Sequence, residues 1–242
     1  MPRFFVEQPP REEVFLDGET GAHIVRSLRM KAGEQLTLCA GDGTDYLCTI
    51  SECTPQGAHV RVTETHPSVG EPKTKVTVCQ CWPKGDKLET VTQKAVELGA
   101  YEIWPIESSR CVSRPDEKSA AKKLARLQKI ALEAAQQSER GIVPQLLPRA
   151  SLEEALRKAA EQGTILFCYE KGTESFRQAI EGEETRFFLF IGPEGGFSPE
   201  EAALAQSFGA RLLTLGPRIL RTETAPLAAI AAIMAEKGEW ER

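Results

Sequence analysis

Ile191-Gly192-Pro193-Glu194-Gly195-Gly196-Phe197-Ser198-Pro199 and Leu215-Gly216-Pro217-Arg218-Ile219-Leu220-Arg221-Thr222-Glu223-Thr224-Ala225 are the stretches that decide how this 242-residue chain folds. Each follows a short apolar run, residues 186–191 and 211–215, and each leads into a helical pattern. In open α/β sheets, the loop from a strand's carboxyl end into the next helix is where ligands bind. Glycine there lets backbone approach a ligand closely. Ser198 as N-cap, Pro199 at the first helical position and Glu201 at the third predict a helix after the first loop, which Gly209 ends. Residues 225–237 are alanine-rich and apolar almost all round, so the last helix is expected to be buried.

Outward from these loops, strand and helix patterns alternate. Residues 75–82 read as an apolar strand and Pro83-Lys84-Gly85-Asp86 as a turn. Asp86 and Glu89 have capping-box spacing, Leu88, Val91, Ala95 and Leu98 follow at helical spacing, and Gly99 ends that helix. Residues 102–106 form a second strand. Residues 116–137 form a long helix with Leu124, Leu127, Ala131 and Ala134 on one side and a polar end, Gln136-Gln137-Ser138-Glu139-Arg140-Gly141. Ser151 and Glu154 open another capped helix, and residues 164–169 are a strand. Such alternation predicts an α/β domain with a parallel, helix-covered sheet.

Before the linker Pro67-Ser68-Val69-Gly70-Glu71-Pro72 the period is two. Gln35–Cys39 runs into Ala40-Gly41-Asp42-Gly43; Tyr46, Cys48 and Ile50 alternate with Leu47, Thr49 and Ser51; Val60 and Val62 follow Pro55-Gln56-Gly57. Short strands with glycine turns predict a small β-barrel over residues 1–70. A helix around residues 18–30 interrupts it, with Ile24, Val25 and Leu28 turned inward. Arg26 and Arg29 then share an exposed face, with Lys31 nearby. His23 either joins that cluster or is a satisfied structural histidine.

Composition narrows the function. The net charge is −5, and residues 1–70 carry six Lys/Arg against ten Asp/Glu, so the chain as a whole is no polycation. Residues 108–130 hold seven basic side chains, Arg110 and Arg114 among them, against two acidic ones. That stretch is either a polyanion contact or a solvated helix face. No run of about 18 apolar residues is present, so no membrane span is expected. Met1–Glu7 meets charges and prolines at once, unlike a signal peptide. Seven scattered cysteines without a CxxC read as buried thiols of a reducing cytoplasm, with no metal.

The first loop is neither GxGxxG nor a Walker loop, because no Lys-Ser/Thr follows it. Its carboxylate, Glu194, would compete with a phosphate for the donors of a helix N-terminus and repel it. A ligand with a positive or neutral reactive end fits better than a nucleoside triphosphate, unless Gly195 and Gly196 only make a tight turn. In the second loop Arg221 can stabilise negative charge on a substrate. Glu223 either accepts a proton or is a first-turn carboxylate on the helix dipole.

Together these residues resemble the knotted SPOUT methyltransferases, and more narrowly the bacterial small-subunit ribosomal RNA uridine-N3 methyltransferases. The likeness extends to Arg3-Phe4-Phe5, His23-Ile24-Val25-Arg26-Ser27-Leu28-Arg29, Lys84-Gly85-Asp86-Lys87, Gln93-Lys94, Glu97-Leu98-Gly99 and Gln137-Ser138-Glu139-Arg140, nearly the whole chain. The resemblance implies a PUA-like RNA-binding barrel over residues 1–70 and an α/β domain with a trefoil knot over residues 74–242. It implies S-adenosylmethionine, held by Phe167, Tyr169, Glu170, Ile191, Gly192, Pro193, Glu194, Gly195, Gly196, Leu215, Gly216, Ile219, Leu220, Arg221, Thr222, Thr224 and Ala225. It implies 16S RNA of the small ribosomal subunit as substrate, and a homodimer. Arg221, Glu223 and Arg140 are the expected catalytic residues. Arg3, His23, Arg26, Arg29, Lys84, Lys94, Arg110 and Arg114 are expected to contact RNA. Two other readings stay open: a ribose 2′-O-methyltransferase of the same superfamily, or a non-catalytic RNA-binding assembly factor.

Overall fold

The computed structural model describes residues 1–241. They form two compact units: residues 1–71 with 135–143, and residues 72–134 with the rest of the chain.

The first unit is a five-stranded sheet in the order β1 (Arg3–Phe5), β3 (Gln35–Cys39), β4 (Thr44–Thr54), β5 (Gly57–Pro67), β2 (Glu13–Leu16). All its pairs are antiparallel except β1 on β3. Register shifts at Leu47/Cys48 and Ile50/Glu52 help the sheet curl. Alternate residues Leu36, Leu38, Cys48, Ile50, Ala58 and Val60 close inside with Phe4, Leu16 and Ile24. The three- and four-residue strands β1 and β2 are too short for a period to show.

The helix expected over residues 18–30 is shorter and of two kinds. α1 (Gly18–Ala22) gives way to one π turn, His23–Ser27. The Leu28 N–H donates to the His23 carbonyl at 2.9 Å, five residues back. Leu28, at the end of this turn, is 43% exposed and not inward as its spacing from Ile24 predicts.

Two ion pairs lock the unit, and both use arginines expected elsewhere. Arg3 donates to both oxygens of Asp45 at 2.6 Å, and its side chain is 8% exposed. It is a buried brace and not a surface contact for RNA. Arg140 donates to Glu71 at 3.2 and 2.7 Å and its side chain is 4% exposed. The Glu71 Oε1 also accepts from the Gly141 and Ile142 N–H groups at 3.0 Å. The segment read as a plain linker is therefore pinned at Glu71, and Arg140 is occupied in holding it.

The second unit is an all-parallel sheet. Its order is β12 (Arg211–Leu213), β10 (Thr164–Cys168), β11 (Arg186–Ile191), β6 (Lys75–Cys81), β7 (Glu102–Glu107), β8 (Gln145–Leu146), with β9 (Ala150–Ser151) also on β7. The central strand β11 buries Phe187, Phe188, Leu189, Phe190 and Ile191 consecutively, as a strand covered on both faces must. Each contributes about 2–3 kcal/mol of burial. The helices are α2 (Lys87–Glu97), α3 (Glu117–Gln137), α4 (Leu152–Ala160), α5 (Phe176–Ile180), α6 (Pro199–Ser207) and α7 (Ala225–Glu236). Ser151 caps α4, and Ser198 and Glu201 form the expected capping box on α6. Asp86 makes no side-chain cap; Glu89 instead pairs with Arg126 at 2.8 Å. On α7 Ala229, Ile230, Ile233 and Met234 are buried, but Ala228, Ala232 and Ala235 are exposed, so the helix is not enclosed all round.

The connection after β10 is threaded. Glu174 lies on the outer side of β12, bridging Leu213, while β10 lies on the inner side. The chain leaving β10 passes outside β12 and returns through α5 to β11. β12, formed later in the sequence, thus inserts into that loop, a crossing that ordinary connection rules do not produce.

The buried pair yields a stability prediction. Burial works to raise the Asp45 carboxyl, but hydrogen bonds from Arg3 and Ser68 outweigh it and hold it below the usual carboxylate range. A depressed folded-state value stabilises above the unfolded value of about 4 and is lost as pH falls through the folded one. Asp45→Asn should cost about 3 kcal/mol at neutral pH by leaving Arg3 buried and uncompensated, with the deficit shrinking below about pH 4. Urea unfolding of both proteins across pH checks this; a pH-independent deficit would refute it.

Candidate active site

A cleft of about 1180 Å³ opens at the carboxyl ends of β10, β11 and β12. Its walls are the chain after β10 (Cys168 to Lys171), the loop Ile191–Phe197 and the segment Leu213–Thr222 with Ala225.

The first loop turns tightly. The Gly196 N–H donates to the Pro193 carbonyl at 2.9 Å, and Gly196 has φ +64°, a conformation that side chains disfavour. A Cβ on Gly192 would come within 3.2 Å of the Gly196 backbone. Its far end is anchored by α6: the Glu201 carboxylate accepts from Ser198 N–H at 2.8 Å and Ser109 N–H at 2.7 Å.

A polar clasp joins the two loops. The Gln80 side-chain amide donates to Thr222 Oγ1 at 2.9 Å, and the Thr222 hydroxyl donates to the Gly192 carbonyl at 2.8 Å. Gln80 and Thr222 are buried. Phe167 is fully buried beneath the cleft and stacks on Phe197 at 4.1 Å; it supports the wall and does not line it. Thr224 precedes α7 and is exposed outside the lining, without a side-chain cap. Of the other residues expected around S-adenosylmethionine, Tyr169, Glu170, Ile191, Gly192, Pro193, Glu194, Gly195, Gly196, Leu215, Gly216, Ile219, Leu220, Arg221, Thr222 and Ala225 all line it. Ile219 is 91% exposed there.

Sequence reasoning missed Lys87, the first residue of α2. Its Nζ lies 2.9 Å from Glu194 and 3.6 Å from Glu223. The Lys84 N–H adds a bond to Glu194 at 3.1 Å. Burial would raise the Glu194 carboxyl, but hydrogen bonding to Lys87 prevails and holds it below its ordinary value. That same bond raises Lys87. The signal was available: a cation in the first turn of a helix opposes the dipole and calls for a nearby carboxylate. Lys171, Leu213 and Thr214 also line the cleft without having been foreseen.

The expected catalytic residues separate. Arg221 is exposed and faces the cleft, Glu223 turns to Lys87 outside the lining, and Arg140 belongs to the first unit, bound to Glu71. Among the residues expected to touch RNA, Arg110 donates to the Gly195 and Phe197 carbonyls at 3.0 and 3.3 Å, so it braces the first loop. Arg114 folds onto the Ser108 and Ser109 carbonyls, and Lys94 pairs with Glu97 at 2.7 Å. Lys84 is exposed. In the first unit His23, Arg26 and Arg29 are all exposed.

The cleft fits S-adenosylmethionine by its chemistry. Its walls are apolar at Pro193, Phe197, Leu215, Ile219 and Leu220, its loops offer backbone donors and acceptors, and Glu194 bars a phosphate from the glycine turn.

Known proteins agree with this geometry. Residues 70–234 match the RNA methyltransferase domain family, and residues 16–63 match the RNA methyltransferase PUA domain. The chain is 34% identical to the ribosomal RNA small subunit methyltransferase E of Bacillus subtilis, over 96% of each protein. It is 31% identical to the protein of the same name from Mycobacterium bovis, over 93% of this chain and 87% of that one. The structure of the Neisseria gonorrhoeae enzyme of that name, bound to S-adenosylmethionine, superposes with a TM-score of 0.86 at 33% identity, covering 97% of each chain. A Legionella pneumophila methyltransferase in complex with the same cofactor gives 0.85 at 33% identity over 96% of each. The chain belongs to the ribosomal RNA small subunit methyltransferase E family of RNA methyltransferases.

Proposed function

We propose that this protein transfers a methyl group from S-adenosylmethionine to N3 of a uracil in 16S RNA of the small ribosomal subunit, in the cytoplasm. The observation that carries the reading is the cleft itself. Two loops clasped through Thr222 and Gln80 wall a site that fits the sulfonium cofactor, and homologous structures bind that cofactor.

S-adenosylmethionine supplies an electrophilic methyl group. The chain's residues must hold the uridine and manage its proton. Uracil N3 carries a proton between two carbonyls, so its lone pair is free to attack only after that proton leaves. Arg221, exposed on the cleft wall, is assigned to the carbonyl oxygen on which negative charge develops. Glu223 is assigned to the proton, with Lys87 orienting its carboxylate. Arg140 is reassigned from chemistry to holding Glu71. A paired uracil hides N3, so the target is flipped or single-stranded. The first unit, with His23, Arg26 and Arg29, takes RNA, and Lys84, Arg110 and Arg114 are exposed on the second unit. The chain acts as a homodimer, in support of which α7 leaves Ala228, Ala232 and Ala235 exposed.

Arg221→Ala should lower single-turnover methylation of small subunits from cells lacking the enzyme by about a hundredfold while cofactor still binds. Base-resolved mass mapping of the product identifies the methylated atom, and a ribose 2′-O product would overturn the assignment. Lys87→Met should weaken cofactor binding in calorimetry about tenfold, because Glu194 and its loop lose their anchor, whereas Lys87→Arg should retain most of it. Equal affinities of all three proteins would refute the anchor.

A further inference from the structure

The π turn of the first unit is a feature that packing alone does not demand. Ile24 and Leu28 are four residues apart, the spacing that stacks both on one face of an α-helix. Ile24 is fully buried, whereas Leu28, the residue that follows the π turn, is 43% exposed. The chain then takes Arg29 through φ +54°, one of only two non-glycine positive values among the described residues. Retained strain of this kind concentrates at functional segments, as π turns do. Its effect here is a tip on which exposed Leu28 sits between exposed Arg26 and Arg29, with Lys31 following. No acidic side chain occurs from residue 20 to residue 33, and the Glu34 carboxylate that follows is taken up by the Lys31 N–H at 2.6 Å.

We propose that this tip is a clamp for single-stranded RNA in which Leu28 packs against the face of an unstacked base while Arg26 and Arg29 hold the flanking phosphates. The inference rests on the RNA-methyltransferase reading and deepens it, since a uridine that must leave its stack leaves a neighbouring base face for an apolar side chain. Charge complementarity selects the occupant. A lone exposed leucine is ordinary on a protein surface, but one flanked in the chain by exposed Arg26 and Arg29 matches a polyanion with apolar base faces.

The full-length protein separates the two contributions through salt dependence. With a fluorescein-labelled single-stranded oligouridylate, Leu28→Ala should weaken binding about fivefold to tenfold at every salt concentration, leaving the slope of log affinity against log salt unchanged. Arg26→Ala and Arg29→Ala should each flatten that slope by about 0.7, the effect of one lost phosphate contact on a single strand. Leu28→Phe should restore or exceed wild-type affinity. If the arginine variants flatten the slope but Leu28→Ala binds as wild type, the clamp is wrong and the RNA-binding barrel stands. If neither arginine variant changes the slope, the barrel's role in binding fails instead. Loss of thermal stability or a changed oligomeric mass in Leu28→Ala, with RNA affinity intact, would make Leu28 a packing contact and overturn the proposal.

Discussion

The cleft depends on the Thr222 hydroxyl. Two hydrogen bonds through one buried oxygen connect β6, the loop after β11 and the loop before α7, segments more than a hundred residues apart at their extremes. Neither loop has regular structure of its own to hold it. Away from water, each bond lost would leave a donor or acceptor unsatisfied, which costs more than the bond's net value. The threaded crossing makes the clasp possible. β12 inserts beside β10, and the chain leaving it has to pass over the carboxyl ends of the central strands before reaching α7. Fold and site are thus two descriptions of one chain path.

Charge then decides what enters. A glycine turn before a helix usually suits phosphate, but here Glu194 occupies that place and Lys87 holds it ionised. The carboxylate is neutralised from behind and remains a poor neighbour for an anion. The cost of placing an ammonium in the first turn of α2 is offset by the two carboxylates it meets. The two cations at the glycine turn are both engaged, Lys87 with Glu194 and Arg110 with the Gly195 and Phe197 carbonyls, while Arg221 on the second loop is exposed on the cleft wall.

Much of this was legible in the chain. The parallel sheet follows from alternating periods and from Phe187-Phe188-Leu189-Phe190, and the capping box at Ser198 was readable to the residue because it is local. The cleft loops were readable from glycine and strand ends. What failed was non-local or depended on one extra residue in a turn. Arg3 and Arg140 looked like free cations because their partners, Asp45 and Glu71, lie 42 and 69 positions away. Leu28 looked buried from its helical spacing to Ile24, but the helix ends before it and it is 43% exposed. Asp86 makes no side-chain cap, and Glu89, its expected capping-box partner, pairs with Arg126 across 37 residues. The threading has no sequence period at all; only the family resemblance carried it.

The separation of Arg221 from Glu223 bears on how a proton and a methyl group are handled in one site. Both come from the same short segment, yet one side chain faces the cleft and the other turns to Lys87. A carboxylate pointed directly at the sulfonium would stabilise the reactant's charge, which is lost as the methyl group transfers, and so would raise the barrier. Glu223 instead stands 3.6 Å from Lys87, a separation looser than a hydrogen bond, and shares that ammonium with Glu194. Arg221 is, in the proposed reaction, the group that would favour the deprotonated uracil, the form that attacks, over the neutral base that binds. In the proposed reaction the cation therefore does the differential work, and the carboxylate needs only to receive a proton that Arg221 has already made easier to lose.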